Sequence, residues 1–281
     1  MSDIGNKNEY LGFKEVVLAD NEMADFYQRL NENVFDSLIN EYLVIKNETG
    51  EIVDKLRWRG DKYTPVVFKD IKNEIMGVIK PRNPQQTLAI DMLYNKDITI
   101  KALTGKFGTG KDFLMISTAL DLINSGKFEK LVWVRNMIPV KNTKEIGFLP
   151  GDAKTKMLPY ALILADHMGG IDGLSFQMSQ GRVEIENLGA IRGRSFQNTI
   201  IICSEAENMT KEHIQLLIGR VGNGSSLWLN GDYRQIDAKV FERNNGLLKA
   251  IDKLKGHPRF GYVKLLKNER SETAAMADLL D

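Results

Sequence analysis

The sequence is poor in the residues that make covalent or metal cross-links. It has one cysteine, Cys203, and three histidines, His167, His213 and His257, in 281 residues. A single thiol excludes an intramolecular disulfide framework and suits a reducing compartment. So few nitrogen and sulfur ligands also argue against a structural zinc site. No apolar run approaches the roughly 20 residues that span a bilayer. The opening MSDIGNKNEY has no apolar signal core, so the expectation is a cytoplasmic protein with no membrane partner. Excess charge is lacking too, with 38 basic against 37 acidic residues and a net charge of +1. A polyelectrolyte partner would therefore have to be held by a local patch. What is present is an ordinary globular balance, 43% hydrophobic and 27% charged, over a length that suits one large domain or two small ones.

Residues 1–80 read differently from the rest. Residues 21–38 look helical, with Met23, Phe26, Tyr27 and Leu30 near 3–4 spacing. Residues 42–45 and 52–58, around the turn-like 47–50, read as a β-hairpin. Strands are also expected at 66–68 and 75–79. Pro81 and Pro84 punctuate the chain, and the boundary between a small α+β region (1–80) and a larger domain (81–281) is placed there. Beyond it, helices alternate with apolar strands. Strands are expected at 97–103, 131–134, 182–186, 199–203 and 226–229. Helices are expected at 86–94, from the glycine-rich loop to 124, at 211–221 and at 246–254. That alternation predicts an α/β fold with a mainly parallel sheet covered on both faces.

Two segments carry chemistry. Gly105, Lys106, Phe107, Gly108, Thr109, Gly110 and Lys111 satisfy G-x-x-x-x-G-K between an expected strand and an expected helix, the context the motif requires. Glycines let the backbone curl so that successive N–H groups point at one phosphate, and the helix start adds a positive dipole end. Lys111 would reach the β/γ-phosphates. The next position calls for Ser or Thr to ligate Mg²⁺, and here it is Asp112. The second segment is the apolar run 199–203 followed by Ser204, Glu205, Ala206, Glu207 and Asn208. In P-loop ATPases this place holds an Asp for Mg²⁺, often with a Glu that activates water. Glu205 suits the base, and Ser204 stands where the Asp is expected.

These residues, with PRNPQQ (81–86), VRNMIPVKNTKEIGFLPG (134–151), IRGRS (191–195), GDYRQ (231–235) and NERS (268–271), resemble the PhoH-like family. Its members are P-loop ATPases of bacteria and bacteriophages, related to superfamily 1 helicases. The resemblance covers about residues 81–281 and implies a RecA-like P-loop core that uses ATP and Mg²⁺. It implies that Gln86 reads the adenine edge, that Asp232 and Gln235 sense the γ-phosphate, and that Arg270 offsets its charge. Arg192, Arg194 and Arg220 become candidates for phosphate or subunit contacts. The chain departs from the family pattern at Asp112 (Thr or Ser expected), Ser204 (Asp expected) and Glu207 (Gln expected). Either Asp112 and Ser204 exchange the carboxylate and hydroxyl ligands of one metal, or hydrolysis is impaired and binding retained.

The helicase relation implies a nucleic-acid partner, RNA before DNA. Only one RecA-like core is visible, which implies a homo-oligomer, a ring being one form of it, with nucleotide at subunit interfaces. Lys141, Lys144, Lys154 and Lys156 either track a phosphate backbone or form a solvated basic loop. Arg57, Trp58 and Arg59 interleave cations with an aromatic. Strand alternation, however, turns Leu56 and Trp58 to one face and both arginines to the other, which favours a tryptophan in the core.

Overall fold

The computed structural model describes residues 9–66, 69–136 and 162–269. Its centre is a six-stranded sheet in which every pairing is parallel. The strands are β7 (Ile100–Gly105), β8 (Lys130–Arg135), β9 (Val183–Asn187), β10 (Thr199–Ser204), β11 (Ser226–Gly231) and β12 (Phe260–Leu265). Their order across the sheet is β12-β7-β11-β10-β8-β9. The phosphate-loop strand β7 is thus separated from the acidic strand β10 by β11.

Successive residues of these strands enter opposite cores. Leu103, Trp133, Ile200, Ile202 and Trp228 pack on one face with α2 (Pro84–Tyr94) and α3 (Lys111–Asn124). Ala102, Val132, Val134, Ile201, Cys203 and Leu229 pack on the other with α6 (Lys211–Ile218) and α8 (Gly246–Leu254). Burial on both faces is why the strands read as continuous apolar runs and not as alternation. Local signals fix the helix ends. The Asn83 side chain accepts from the Gln86 N–H with Pro84 in the first turn, and the Asn245 side chain accepts from Leu248 N–H. Two short helices, α4 (Leu162–His167) and α5 (Ile171–Ser179), add Leu164 and Leu174 to the first core.

The N-terminal residues form a second sheet, ordered β1-β2-β3-β4, from Phe13–Val17, Tyr42–Lys46, Ile52–Trp58 and Tyr63–Pro65. The expected hairpin is β2 and β3, paired antiparallel. Leu56 and Trp58 lie in a small core with Phe26, Leu43, Ile45 and Tyr63, so Trp58 is no stacking platform. Arg57 faces Asp91 of α2 at 3.7 Å. The helix expected over 21–38 stops early: α1 is Asp20–Gln28. Beyond it the Asn33 side chain takes the Ser37 N–H (2.7 Å) and reaches its carbonyl (2.9 Å), a local alternative to the helical ladder. The strand expected at 75–79 is instead a hairpin of β5 (Ile71–Asn73) and β6 (Gly77–Ile79). Asn73 Oδ1 accepts from Ile75 and Met76 N–H across its turn. Of the strand expected at 66–68, residues 67 and 68 lie outside the described residues. Strands β1, β4 and β12 and helices α4, α5 and α7 (Lys239–Arg243) lie outside the elements expected from sequence.

Packing crosses residue 81. Phe13, Tyr42, Val44, Ile71 and Ile79 belong to the same core as α2, α3 and the large sheet. Tyr42 Oη donates to Asp91 (2.8 Å), and Asn40 Nδ2 donates to the carbonyls of Pro258 (3.0 Å) and Phe260 (2.9 Å). At Gly12, with φ +80°, an added Cβ would lie 1.8 Å from the Tyr262 carbonyl oxygen, so only glycine lets the N-terminal segment lie against β12.

Candidate functional site

The strand register builds the site. Ser204 of β10 pairs with Arg135 of β8, and Gly231 of β11 pairs with Thr104 of β7, so the carboxyl ends of all four strands come out side by side. Ligands of open parallel sheets bind at that edge. A cleft of about 550 Å³ opens there. Its lining includes Gln86, Phe107, Gly108, Gly110, Lys111, Asp112, Ser204, Glu205, Glu207, Asp232 and Gln235. Gly105, Lys106 and Thr109 complete the loop around it. Residues from four separate segments thus meet at one place. Arg270 lies outside the described residues, as do Lys141, Lys144, Lys154, Lys156 and residues 147–151.

The phosphate loop runs from β7 to α3. Gly108 (φ +76°) and Gly110 (φ +92°) are left-handed, and Gly110 caps α3. Lys111 Nζ donates to the carbonyls of Gly105 (2.7 Å) and Lys106 (2.9 Å), so the amine folds back over the loop. Thr109 Oγ1 donates to the Lys106 carbonyl (2.9 Å). The loop is fastened from outside at two points. Glu269 N–H donates to the Gly108 carbonyl (2.9 Å), and Gln86 Nε2 donates to the Thr109 carbonyl (3.1 Å). Through the first contact the NERS segment reaches the loop; Asn83 Nδ2 and Arg82 Nη1 also donate to Glu269.

The acidic side is built from β10 and the turn after it. Glu205 takes the left-handed conformation (φ +52°), and Arg135 donates to its carboxylate. Asp112 accepts from Asn230 Nδ2. Burial pushes both carboxyls, Asp112 and Glu205, above their usual range, although Lys111 and Arg135 oppose the shift at Asp112 and Arg135 opposes it at Glu205. Burial thus favours the protonated form of both carboxyls more than water would. Ser204 is buried between these strand ends. Among the described residues no cluster of three His, Cys, Asp or Glu could cage a metal alone. One carboxylate and one hydroxyl do suit Mg²⁺, which keeps several waters and takes substrate phosphate oxygens.

Sequence reading missed the polar residues that hold this side together. Asn208 and Asp237 exchange two hydrogen bonds (2.7 and 2.9 Å), Asn136 Nδ2 donates to the Asn208 carbonyl (2.8 Å), and Asn245 Nδ2 donates to the Glu207 carbonyl (3.0 Å). Asn136 and Asn208 lie in the blocks at 134–151 and 204–208 but have no role assigned there, and Asp237 and Asn245 lie in no motif at all. Of the arginine candidates, Arg194 is committed to Glu184 and Glu186, both at 2.7 Å, and Arg220 donates to the Arg194 carbonyl (3.1 Å). Arg192 is exposed, and none of the three lines the cleft.

Glu207 stands where the family pattern has glutamine. Its Oε2 accepts from Asp232 N–H (3.0 Å), tying the acidic turn to the GDYRQ turn. Burial, with a smaller push from Glu205 and Asp232, raises this carboxyl to about 8. At neutral pH it is therefore a protonated, uncharged group like the expected amide. Between about pH 4.5 and 8 the unfolded chain ionises this carboxyl while the folded chain keeps its proton. Stability is then complete below pH 4.5 and falls by up to about 1.4 kcal/mol per pH unit until the folded carboxyl ionises. Glu207→Gln keeps the oxygen that accepts from Asp232. It is expected to be more stable than the parent at pH 8.5 by up to about 5 kcal/mol, or up to roughly 10–20 °C in Tm, and equal to it near pH 4.5. Thermal melts across that range check it; a pH-independent difference would refute the assignment.

Comparison with known proteins identifies the family of the chain. A family model described as PhoH-like protein matches residues 78–278. Protein PhoH2 of Bacillus subtilis is 35% identical, over 99% of this chain and 66% of its own length. Protein PhoH2 of Mycolicibacterium smegmatis is 32% identical, over 72% of this chain and 47% of its own. The chain therefore spans about half to two thirds of the length of these curated relatives. A large terminase from a thermophilic bacteriophage aligns over 71% of this chain and 50% of its own, with 11% identity and a TM-score of 0.42. A Bacteroides Pif1 bound to ssDNA aligns over 72% and 46%, with 11% identity and a TM-score of 0.33. With the family model matched across the phosphate loop, the acidic turn and the GDYRQ turn alike, the chain belongs to the PhoH-like family.

Proposed function

We propose that the chain binds ATP with Mg²⁺ in the cleft, hydrolyses it, and couples hydrolysis to a nucleic acid, RNA before DNA, in the cytoplasm. One observation carries the reading: the glycine loop and Lys111 line the same cleft as Glu205. Backbone N–H groups of the loop and the Lys111 amine take the phosphates, with Lys111 leaving the Gly105 and Lys106 carbonyls to do so. Asp112 and Ser204 would hold Mg²⁺, which when bound offsets charge on the β- and γ-phosphates. Glu205, oriented by Arg135, directs the attacking water. Asp232 and Gln235 follow the γ-phosphate, and Arg270 compensates the charge of the transition state. The nucleic-acid partner and a homo-oligomer, a ring among its possible forms, follow from the family relation to helicases.

A second reading is a nucleotide-binding protein with impaired hydrolysis. The Asn230 bond to Asp112 favours it, since a carboxylate held in that bond has less freedom to take a metal. Phosphate release from ATP with Mg²⁺, with and without RNA, distinguishes the two when the triple variant Asp112→Thr, Ser204→Asp, Glu207→Gln is run alongside. The first reading predicts turnover within about tenfold of the triple variant and stimulation by RNA. Nucleotide binding without turnover, restored in the triple variant, supports the second.

A further inference from the structure

The register of β10 on β11 runs from Ile200–Ser226 to Cys203–Leu229, and beyond it side chains join the turns that follow the two strands. One turn carries Glu205 and the other carries Asp232 and Gln235, all three on the cleft. Two buried side chains of the first turn cross to the second. Glu207 Oε2 accepts from Asp232 N–H at 3.0 Å, and Gly231 leaves it the room, since an added Cβ there would lie 2.8 Å from that oxygen. Asn208 Nδ2 donates to Asp237 Oδ2 at 2.7 Å, and Asn208 Oδ1 accepts from Asp237 N–H at 2.9 Å. The second turn is thus held at both ends, Asp232 and Asp237, with Gln235 between them. It is also closed on itself, by Gln235 N–H on the Asp232 carbonyl (2.8 Å) and Arg234 N–H on Asp232 Oδ1 (3.1 Å).

Asn208 reaches further than Glu207. Its main-chain N–H donates to the Glu205 carbonyl at 3.0 Å across the 3₁₀ turn Ala206–Asn208, and its own carbonyl accepts from Asn136 Nδ2 at 2.8 Å. One residue therefore holds the Glu205 peptide with its backbone and the second turn with its side chain. Glu205 is left-handed at φ +52°, so the direction of its carboxylate depends on the peptide that Asn208 holds. An amide donating to a carboxylate makes a charge-assisted bond, and the second bond of the pair fixes its orientation. Breaking the pair leaves buried groups of Asn208 unmet, which is costly, so the two turns move as one body.

We propose that Asn208 is a positioning residue that couples the γ-phosphate sensors to the water-directing carboxylate. Paired with Asp237, it ties the turn of Asp232 and Gln235 to the turn of Glu205. A displacement of the sensors by a bound γ-phosphate then reaches Glu205 and sets it for the attacking water. This coupling rests on the nucleotide reading of the cleft, with Glu205 as the group that directs water. Loss of the pair misplaces that carboxylate and leaves alone the loop that takes the phosphates. A misplacement of about 1 Å costs roughly 10²-fold in rate.

The test is steady-state phosphate release from ATP, with equilibrium ATP binding and a melt of each sample. It compares the full chain with Asn208→Ala, Asn208→Asp and the double variant Asn208→Asp, Asp237→Asn. Turnover is counted per ATP site, so a loss of folded molecules lowers the number of sites and not the turnover of those that remain. Asn208→Ala removes both side-chain bonds. Asn208→Asp keeps an acceptor for Asp237 N–H but sets two carboxylates against each other. Both are expected to lower kcat by roughly 10–100-fold, with ATP affinity within about threefold of the parent. The double variant carries the parent's charge and rebuilds the pair in reverse, the amide at 237 donating to the carboxylate at 208. Its kcat is expected to return to within about fivefold of the parent. Full kcat per site in Asn208→Ala or Asn208→Asp, whatever their Tm, overturns the proposal, since the pair is then structural only. So does a double variant as slow as Asn208→Asp, or an ATP affinity that falls in step with kcat. A parent that binds ATP without releasing phosphate would instead remove the water-directing role of Glu205, and this coupling with it. No ATP binding by the parent would remove the nucleotide reading itself.

Discussion

Lys111→Ala is expected to lower phosphate release from ATP by about 10²–10³-fold while leaving the melting temperature nearly unchanged. The asymmetry follows from what the amine does in each state. Without nucleotide it lies on the carbonyls of Gly105 and Lys106 at the cleft, where water can replace it, so removing it costs the fold little. With a triphosphate on the loop it is the cation contributed by α3 itself at the phosphates, and charge grows there as the reaction proceeds. Glycine positions are left intact, so the backbone donors still form and some nucleotide binding survives. Phosphate release, measured with a melt of the same sample, checks both halves. Full activity in the variant would mean that the phosphates lie elsewhere.

Glu205→Gln is expected to reduce turnover by about 10²–10⁴-fold and to change nucleotide affinity by no more than a few-fold. The residue sits at the carboxyl end of β10 in a left-handed conformation, which a buried strand adopts only where something holds it. The Arg135 guanidinium supplies that hold. Glutamine fits the same space and keeps an acceptor for Arg135, but it cannot take a proton from water. Burial lifts the Glu205 carboxyl above its ordinary range, so the acid limb of the turnover profile should lie higher than that of an exposed glutamate, with activity rising as the group ionises. Single-turnover hydrolysis alongside equilibrium binding separates the two effects. A variant that binds poorly but turns over normally would assign Glu205 to binding and not to water.

The parts of this fold that were legible in the sequence are those where a local rule and the tertiary structure agree. The strands β7, β8, β10 and β11 read clearly because each is buried on both faces, which leaves an unbroken apolar run. The phosphate loop read clearly because its glycines are required by backbone conformation and its lysine by charge. Asp112, Ser204, Glu205 and Glu207 meet at one cleft as the motif order implied.

Other features were hidden for physical reasons. The helix reading of 21–38 followed apolar spacing, but α1 ends at Gln28, and beyond it the Asn33 side chain offers the Ser37 backbone a local partner in place of the helical ladder. The hairpin at Ile71–Ile79 turns on Asn73 in the same way. Asn230 and Asp237 hold their places only through three-dimensional neighbours, and nothing in their spacing marks them; Arg135 and Asn208 lie inside the blocks that carry the family resemblance, but their partners come from other segments. Gln86 shows the converse. Its position was legible, while the two backbone groups that hold its amide come from different segments and appear only once the chain is folded.

The central claim, a nucleotide site in which Asp112 and Ser204 have exchanged metal-ligand roles, is tested most directly by a crystal structure of the full chain with a non-hydrolysable ATP analogue and Mn²⁺ in place of Mg²⁺, located by its anomalous signal. The account predicts the triphosphate on the N–H groups of the Gly105–Lys111 loop and the ion against the phosphates within about 2.0–2.3 Å of Ser204 Oγ or an Asp112 oxygen. A triphosphate on the loop with no ion at either residue, and Asp112 still bonded to Asn230, would contradict it.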